Sequence, residues 1–233
     1  MPARPLPRPF VTANFAMTWD ARISTRRGTP SDFSSAGDKR RLLEIRAQGD
    51  AVLVSAKTVA ADNMTMGLPD PALRAARTAR GQSARPLRVL LTNSGRLDPG
   101  LRIFEPSEAA ARILIFSTTR MPDRIRTALA DRADLWLHDA AEVSLTGMLA
   151  TLRTEYCVKR LVCEGGAQVF RSFLSAGLID ELHLTLAPRI FGGRQAPTLT
   201  GVAGKFLPRS TSLRLRSMET VEGECFLRYR VVR

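Results

Sequence analysis

The chain alternates short apolar runs with stretches that carry an apolar residue every three or four positions. Seven runs have the length of buried strands: Phe10–Ala16, Ala51–Ser55, Leu87–Thr92, Ile113–Ser117, Asp134–Leu137, Val158–Cys163 and Glu181–Leu186. Two more, Thr211–Met218 and Cys225–Val232, flank Glu222-Gly223 and read as a C-terminal hairpin. Helical spacing falls between the earlier runs. Lys39–Gln48 carries Leu42, Leu43 and Ile45 on one side, and Asp123–Ala130 follows a Met-Pro break. Ser144–Tyr156 opens on a residue suited to an N-cap, and Gln168–Ala176 closes before Gly177, where a C-cap belongs. Met64–Pro86 is the most irregular stretch, with one short basic helix expected over Pro71–Arg80.

Strand alternating with helix predicts an α/β fold, its central sheet mostly parallel with helices on both faces. The hairpin adds antiparallel strands. No repeat and no long linker is present, so one domain is expected over residues 8–233. The basic, proline-rich residues 1–7 are expected to form an arm before it.

Composition narrows the chemistry. A chain of 233 residues, 44% hydrophobic, is long enough for one sizeable core. No apolar run reaches the eighteen or so residues that a membrane helix needs. The N-terminus lacks the apolar segment of a secretory signal, and a cytoplasmic location is expected. Cys157, Cys163 and Cys225, with His138 and His183, show neither a disulfide framework nor zinc-ligand spacing, so no metal is expected. The net charge of +13 suits nucleic acid, a membrane surface or an anionic small molecule. The basic residues are scattered and almost all arginine, and aromatics are only 6%. That disfavours nucleic acid and favours a phosphorylated substrate and cofactor.

The strongest local signal is LVCEGGAQVFRSFLSAGLIDEL, residues 161–182. A buried strand ends at Glu164, a glycine pair follows, and a helix begins at once. Main-chain N–H groups at Gly166, Ala167 and Gln168 would face a phosphate there, with the helix dipole favouring its charge. A tight strand–helix turn without a ligand explains the same spacing equally well.

The longer stretch EGGAQVFRSFLSAGLIDELHLTLAPRIFGG resembles the signature of the riboflavin-biosynthesis reductase family. NFAMTWDARIS, LLEIRAQGDAVLVSAKTVAADN and PLRVLLTNSGRL are similar to other segments of that family, in the same order. The resemblance runs from Arg8 to about Pro197. It implies a dihydrofolate-reductase-like fold and a homodimer. It also implies NADPH-dependent reduction of the ribose of a ribosylaminopyrimidine 5′-phosphate to its ribityl form. Such chemistry asks for an oriented nicotinamide and a proton or charge at the imine of the opened ribose.

The resemblance also implies roles for particular residues. Ala16 and Met17 would border the nicotinamide. Thr58, Asn93 and Ser94 would contact the cofactor, and Gly165, Gly166, Ala167, Gln168, Val169 and Phe170, on to Ser172, its pyrophosphate. Asp62 and Glu164 would stand at the reactive centre. Ser31, Arg46, Met66 and Glu164 would hold the substrate. A cis peptide is expected at Gly165-Gly166, and Ser117–Thr119 would receive the adenosine phosphate. Asp20 is expected to be structural.

Two departures from the family pattern stand out. Asp62-Asn63-Met64-Thr65-Met66-Gly67 replaces a stretch that commonly ends in a substrate arginine, which Arg74 or Arg77 would then have to supply. Asp20-Ala21 replaces Asp-Gly, and alanine disfavours positive φ. These departures leave room for another pterin-like, imine or carbonyl substrate, or for a relative that binds NADPH without turnover.

Overall fold

The structure, a computed structural model, describes residues 7–24, 33–105, 111–201 and 206–232. The described residues group into two compact units: those of Met1–Phe10 with Arg46–Leu161, and those of Val11–Ile45 with Val162–Arg233. The arm expected over residues 1–7 lies, except for Pro7, outside the described residues.

In the first unit, strands β2 (Ala51–Ser55), β3 (Leu87–Leu91), β4 (Ile113–Thr118) and β5 (Asp134–His138) pair in parallel, in the order β5-β4-β3-β2. Parallel strands are covered on both faces, which is why these read as unbroken apolar runs. Val52, Leu53, Leu90, Leu114, Ile115 and Phe116 are all wholly buried. Each such side chain contributes roughly 1.5–3 kcal/mol. Helices α2 (Ala56–Asp62), α3 (Pro71–Ala79), α4 (Asp123–Leu129) and α5 (Leu145–Thr154) connect them onward. Ser144 caps α5 as expected, its hydroxyl accepting from Gly147 N–H at 3.1 Å. Helix α2 was not expected from the sequence. Ser55 starts it by accepting from Thr58 N–H, and Asn63, left-handed at φ 43° and ψ 44°, ends it.

In the second unit, β1 (Phe10–Thr18) pairs in parallel with β7 (Glu181–Ala187). The hairpin of β8 (Ser212–Val221) and β9 (Glu224–Val232) adds two antiparallel strands, in the order β1-β7-β9-β8. Its turn is at Glu222-Gly223, both at positive φ, the primed geometry that matches strand twist. Strand β6 (Arg160–Cys163) leads into helix α6 (Ala167–Ser175). Helix α6 ends where the sequence placed its stop. Leu178 N–H donates to Phe173 O and Gly177 N–H to Leu174 O, with Gly177 at φ 64°. Helix α1 (Ala36–Gln48) passes from the second unit into the first. The expected α/β fold, mostly parallel with a C-terminal antiparallel hairpin, is the observed one.

Candidate active site

The turn from β6 into α6 is built for close approach. Gly165 N–H donates to the Cys163 thiol, whose complete burial pushes its pKa up to about 12, so it is inert. Gly166 stands at φ 61° and ψ 152°, a region that essentially only glycine occupies. The expected cis peptide is absent: no cis bond occurs among the described residues. The chain turns through Gly166's own φ instead. Among the described residues no side chain caps α6, and the first-turn N–H groups of Ala167, Gln168 and Val169 are of the kind that receives an anion. Gly201 lies so close to that turn that a Cβ on it would sit 2.2 Å from the Ala167 Cβ. Phe170 is buried against Phe15, ring centroids 4.7 Å apart, so only its main chain is available to a ligand. Glu164 is half-buried at the end of β6. The residues present therefore fit a phosphate of a dinucleotide.

The end of β1 carries Ala16 and Met17, both half-buried, in register with Thr185 and Leu186 of β7. Just beyond, Asp20 accepts from the Thr18 hydroxyl at 2.6 Å and from Phe191 and Gly192 N–H at 3.1 and 2.6 Å. These bonds, the Thr18 one foremost, hold its pKa at about 2. Asp20 thus ties the 191–192 loop to β1. Ala21 adopts φ 60°, the left-handed region that favours glycine, so the loop carries strain there. On the same unit, the Ser35 hydroxyl donates to Glu224 at 2.5 Å and accepts from Asp38 N–H at 3.0 Å, fixing the start of α1. Ser31 lies outside the described residues.

In the first unit, Thr58 shares a 2.8 Å hydrogen bond with Ser55, and Asp62 is the last residue of α2. Arg46 is not on a solvated helix face: it is 8% exposed, and its guanidinium donates to Gly67 O at 3.1 Å. Arg88, equally buried, donates to Thr65 O at 3.3 Å and Ile103 O at 2.9 Å. The unusual 62–67 segment is thus fastened by two arginines through its main chain. Met66, at φ 55°, is buried, so substrate contact there would fall to its neighbours. Arg77 cannot replace a substrate arginine. It is 1% exposed and spends its guanidinium on Ala47 O at 3.0 Å, Gly49 O and Ser83 O at 2.8 Å. Arg74 is bound to the Leu68 and Pro69 carbonyls.

Asn93 and Ser94 form the turn after β3. The Asn93 side chain accepts from Val143 N–H at 3.0 Å and its carbonyl from Thr118 Oγ1 at 2.7 Å. Ser94 Oγ accepts from Arg96 N–H. A Cβ on neighbouring Gly95 would meet Met121 at 2.4 Å, so the turn is held close to the start of α4's loop. Ser117 and Thr118 are fully buried and cannot receive a phosphate; Thr119 is exposed. No cluster of metal-binding side chains occurs among the described residues.

Sequence reasoning missed the buried arginines and the Asp38–Thr185–Glu224 neighbourhood. Its signal was present in Ser35 and Asp38 at the head of a helix, but the partners come from distant strands.

The chain is similar to known proteins over most of its length. The family model of the RibD C-terminal domain matches residues 9–227. A 2,5-diamino-6-ribosylamino-4(3H)-pyrimidinone 5′-phosphate reductase of Methanothermobacter thermautotrophicus is 34% identical, over 84% of this chain and 86% of its own length. The protein of the same name from Archaeoglobus fulgidus is 30% identical, over 82% and 86%. A pyrimidine reductase-like protein of Corynebacterium diphtheriae shares the fold, with a TM-score of 0.84 at 24% identity, over 97% of this chain and 92% of that one.

Proposed function

The chain belongs to the RibD C-terminal domain family, a reductase of riboflavin biosynthesis, and from that premise we propose that it uses NADPH to reduce the ribose of 2,5-diamino-6-ribosylamino-4(3H)-pyrimidinone 5′-phosphate. The observation that carries the cofactor reading is Gly166, in a glycine-only conformation at the uncapped start of α6. Gly165–Phe170 would hold the pyrophosphate through main-chain N–H groups. Ala16 and Met17 would border the nicotinamide, which supplies hydride when bound. Thr58, Asn93 and Ser94 would complete the cofactor contacts. Asp62 and Glu164 would act at the reacting ribose, with Ser31, Arg46, Glu164 and the neighbours of buried Met66 around the substrate. The diamino substrate is favoured because the relatives of similar length carry its name.

Residues 8–233 would work as one cytoplasmic reductase domain; among the described residues no helix is long and apolar enough to cross a membrane. The active form would be a homodimer. Its surface would be the apolar side of the hairpin, where Leu213, Leu215 and Met218 are 43%, 49% and 64% exposed on an edge strand. The test of function is NADPH oxidation at about 340 nm, the absorption that reduced nicotinamide owns as a cofactor. The diamino and the deaminated pyrimidine phosphates are offered separately, and NADH replaces NADPH as a control. Turnover of the diamino compound with NADPH is the expected result. Nucleotide binding without turnover of either compound would move the chain to another substrate or out of catalysis.

A further inference from the structure

Among the described residues of the first unit, a cavity of about 420 Å³ opens at the amino ends of β3, β4 and β5. The cofactor residues proposed in this unit, Thr58, Asn93 and Ser94, follow the opposite, carboxyl ends of β2 and β3, and none of them lines the cavity. Its buried wall is made by Arg88, Ile103, Phe104 and Ile113. The volume is that of a small-molecule site, for which about 300–1,000 Å³ is usual.

Arg88 is the unusual member of that wall. It is 7% exposed, and buried charges are normally paired. Four of its five N–H groups go to neutral carbonyls: Nε and Nη2 to Ala111 O, and Nη1 to Ile103 O at 2.9 Å and Thr65 O at 3.3 Å. Burial lowers its pKa, and no neighbouring carboxylate raises it back. Holding carbonyls accounts for four donors. It accounts neither for the second Nη2 N–H nor for a cavity beside an uncompensated cation. The other charges stand at the mouth. Arg112 is bound to Asp134 at 2.5 Å, and Asp134 also accepts from the Tyr156 hydroxyl at 3.0 Å. Arg132 donates to Pro99 O at 3.1 Å. Glu105, Asp131, Arg112 and Arg132 are exposed, where solvent and salt screen them. The buried end is therefore positive, with apolar walls beside it.

We propose that this cavity is a second binding site, for a small carboxylate with an apolar body, and that Arg88 passes its occupation to the 62–67 segment. One remaining donor suits one carboxylate oxygen, whereas a phosphate asks for several donors or a whole guanidinium edge. Ile103, Phe104 and Ile113 take the apolar body. The bond to Thr65 O is the longest that Arg88 makes. A carboxylate at Nη2 draws the guanidinium towards itself, and that bond yields first. The 62–67 segment is then held less firmly by its second arginine.

The test uses the full chain with phenylacetate and its neutral counterpart phenylacetamide. By isothermal titration, phenylacetate should bind with a Kd of about 1 mM and phenylacetamide roughly tenfold more weakly or worse. Bound phenylacetate should speed amide hydrogen exchange over residues 62–67. Ala130→Trp, which sets a ring at an exposed position of the mouth, should abolish both effects, and so should Arg88→Met. If Arg88→Met does not fold, Ala130→Trp and the comparison of acid with amide decide the matter. Absent binding, equal binding of acid and amide, or binding that survives Ala130→Trp would overturn the site. Inorganic phosphate bound more tightly than phenylacetate would overturn the carboxylate assignment. Unchanged exchange over 62–67 with phenylacetate bound would overturn the coupling through Arg88. No readout involves turnover, so these outcomes are independent of the reduction proposed above.

Discussion

Arg77 Nη1 lies 3.0 Å from the carbonyl of Ala47, inside a protein that leaves Arg77 only 1% exposed. The guanidinium does for the last turn of α1 what a capping group does, and it reaches the Ser83 carbonyl on its other side. Replacing it with methionine keeps the volume and removes the hydrogen bonds to the Ala47, Gly49 and Ser83 carbonyls, of which Ala47 O keeps Arg80 Nη2 at 2.8 Å. The expected loss is about 3 kcal/mol, since each hydrogen bond to a charged group contributes roughly 1.5–3 kcal/mol. That corresponds to a fall of roughly 6–12 °C in Tm for a chain of this size. Arg77→Lys should recover little of it, because one ammonium cannot serve the fork. A lysine variant as stable as the parent, by urea unfolding, would contradict this account.

Gly166→Ala should act on the cofactor more than on the fold. A Cβ at φ 61° and ψ 152° costs about 1–3 kcal/mol, and the turn would relieve it by shifting away from its present path. NADPH affinity is expected to weaken about tenfold or more, the equivalent of some 1.4 kcal/mol. Isothermal titration measures it; unchanged affinity would remove Gly166 from the cofactor site.

Ala21→Gly should stabilise. Alanine at φ 60° costs about 1–2 kcal/mol, whereas glycine loses roughly 0.4–1 kcal/mol through its freer unfolded chain. The difference leaves a gain of about half a kcal/mol. A rise in the urea midpoint at constant m-value would register it, and a fall would mean that the loop uses the alanine methyl.

Acid should reveal Glu181. Burial alone would raise its pKa, but the hydrogen bonds from His183 and Arg228, with the Arg228 charge, hold it at about 2 against an ordinary 4.5. The unfolded chain therefore takes up this proton at higher pH than the folded one. The stabilisation is complete above about 4.5 and is lost as pH falls towards 2. Glu181→Gln should flatten the fall of unfolding free energy with pH over that window. Equal slopes in parent and variant would place the acid sensitivity elsewhere.

Leu215→Arg with Met218→Arg should turn a dimer into monomers without loss of the fold, as read by sedimentation. A parent that is monomeric at micromolar concentration would dispose of the hairpin interface.

Much of the fold was legible because its parallel strands are buried on both sides and so appear as apolar blocks between turn residues. The α6 stop at Gly177 and the hairpin turn at Glu222-Gly223 were readable for a similarly local reason: positive φ selects the residue. Helix α2 was not, because AKTVAAD has no long apolar stripe and depends on Ser55 and Asn63 at its ends. The candidate site was legible where the main chain makes it, at Gly165-Gly166. It was illegible where distant side chains meet. Nothing in the sequence says that Arg46 serves the carbonyl of Gly67, or that Asp38 will find Thr185. Those pairings follow from the strand order, which only the folded chain supplies.

The arginines that close carbonyls in the first unit also bear on how the protein meets its ligands. Hydrogen bonds from Arg77 and Arg88 go to neutral main-chain oxygens, so this bonding leaves their charge uncancelled. Part of the net +13 is then a by-product of construction, and it is permanent because a guanidinium does not titrate. Such a field draws phosphorylated molecules from a distance and is screened by salt, whereas short buried bonds are not. Raising ionic strength should therefore slow capture of the anionic substrate and cofactor while leaving the melting temperature nearly where it was.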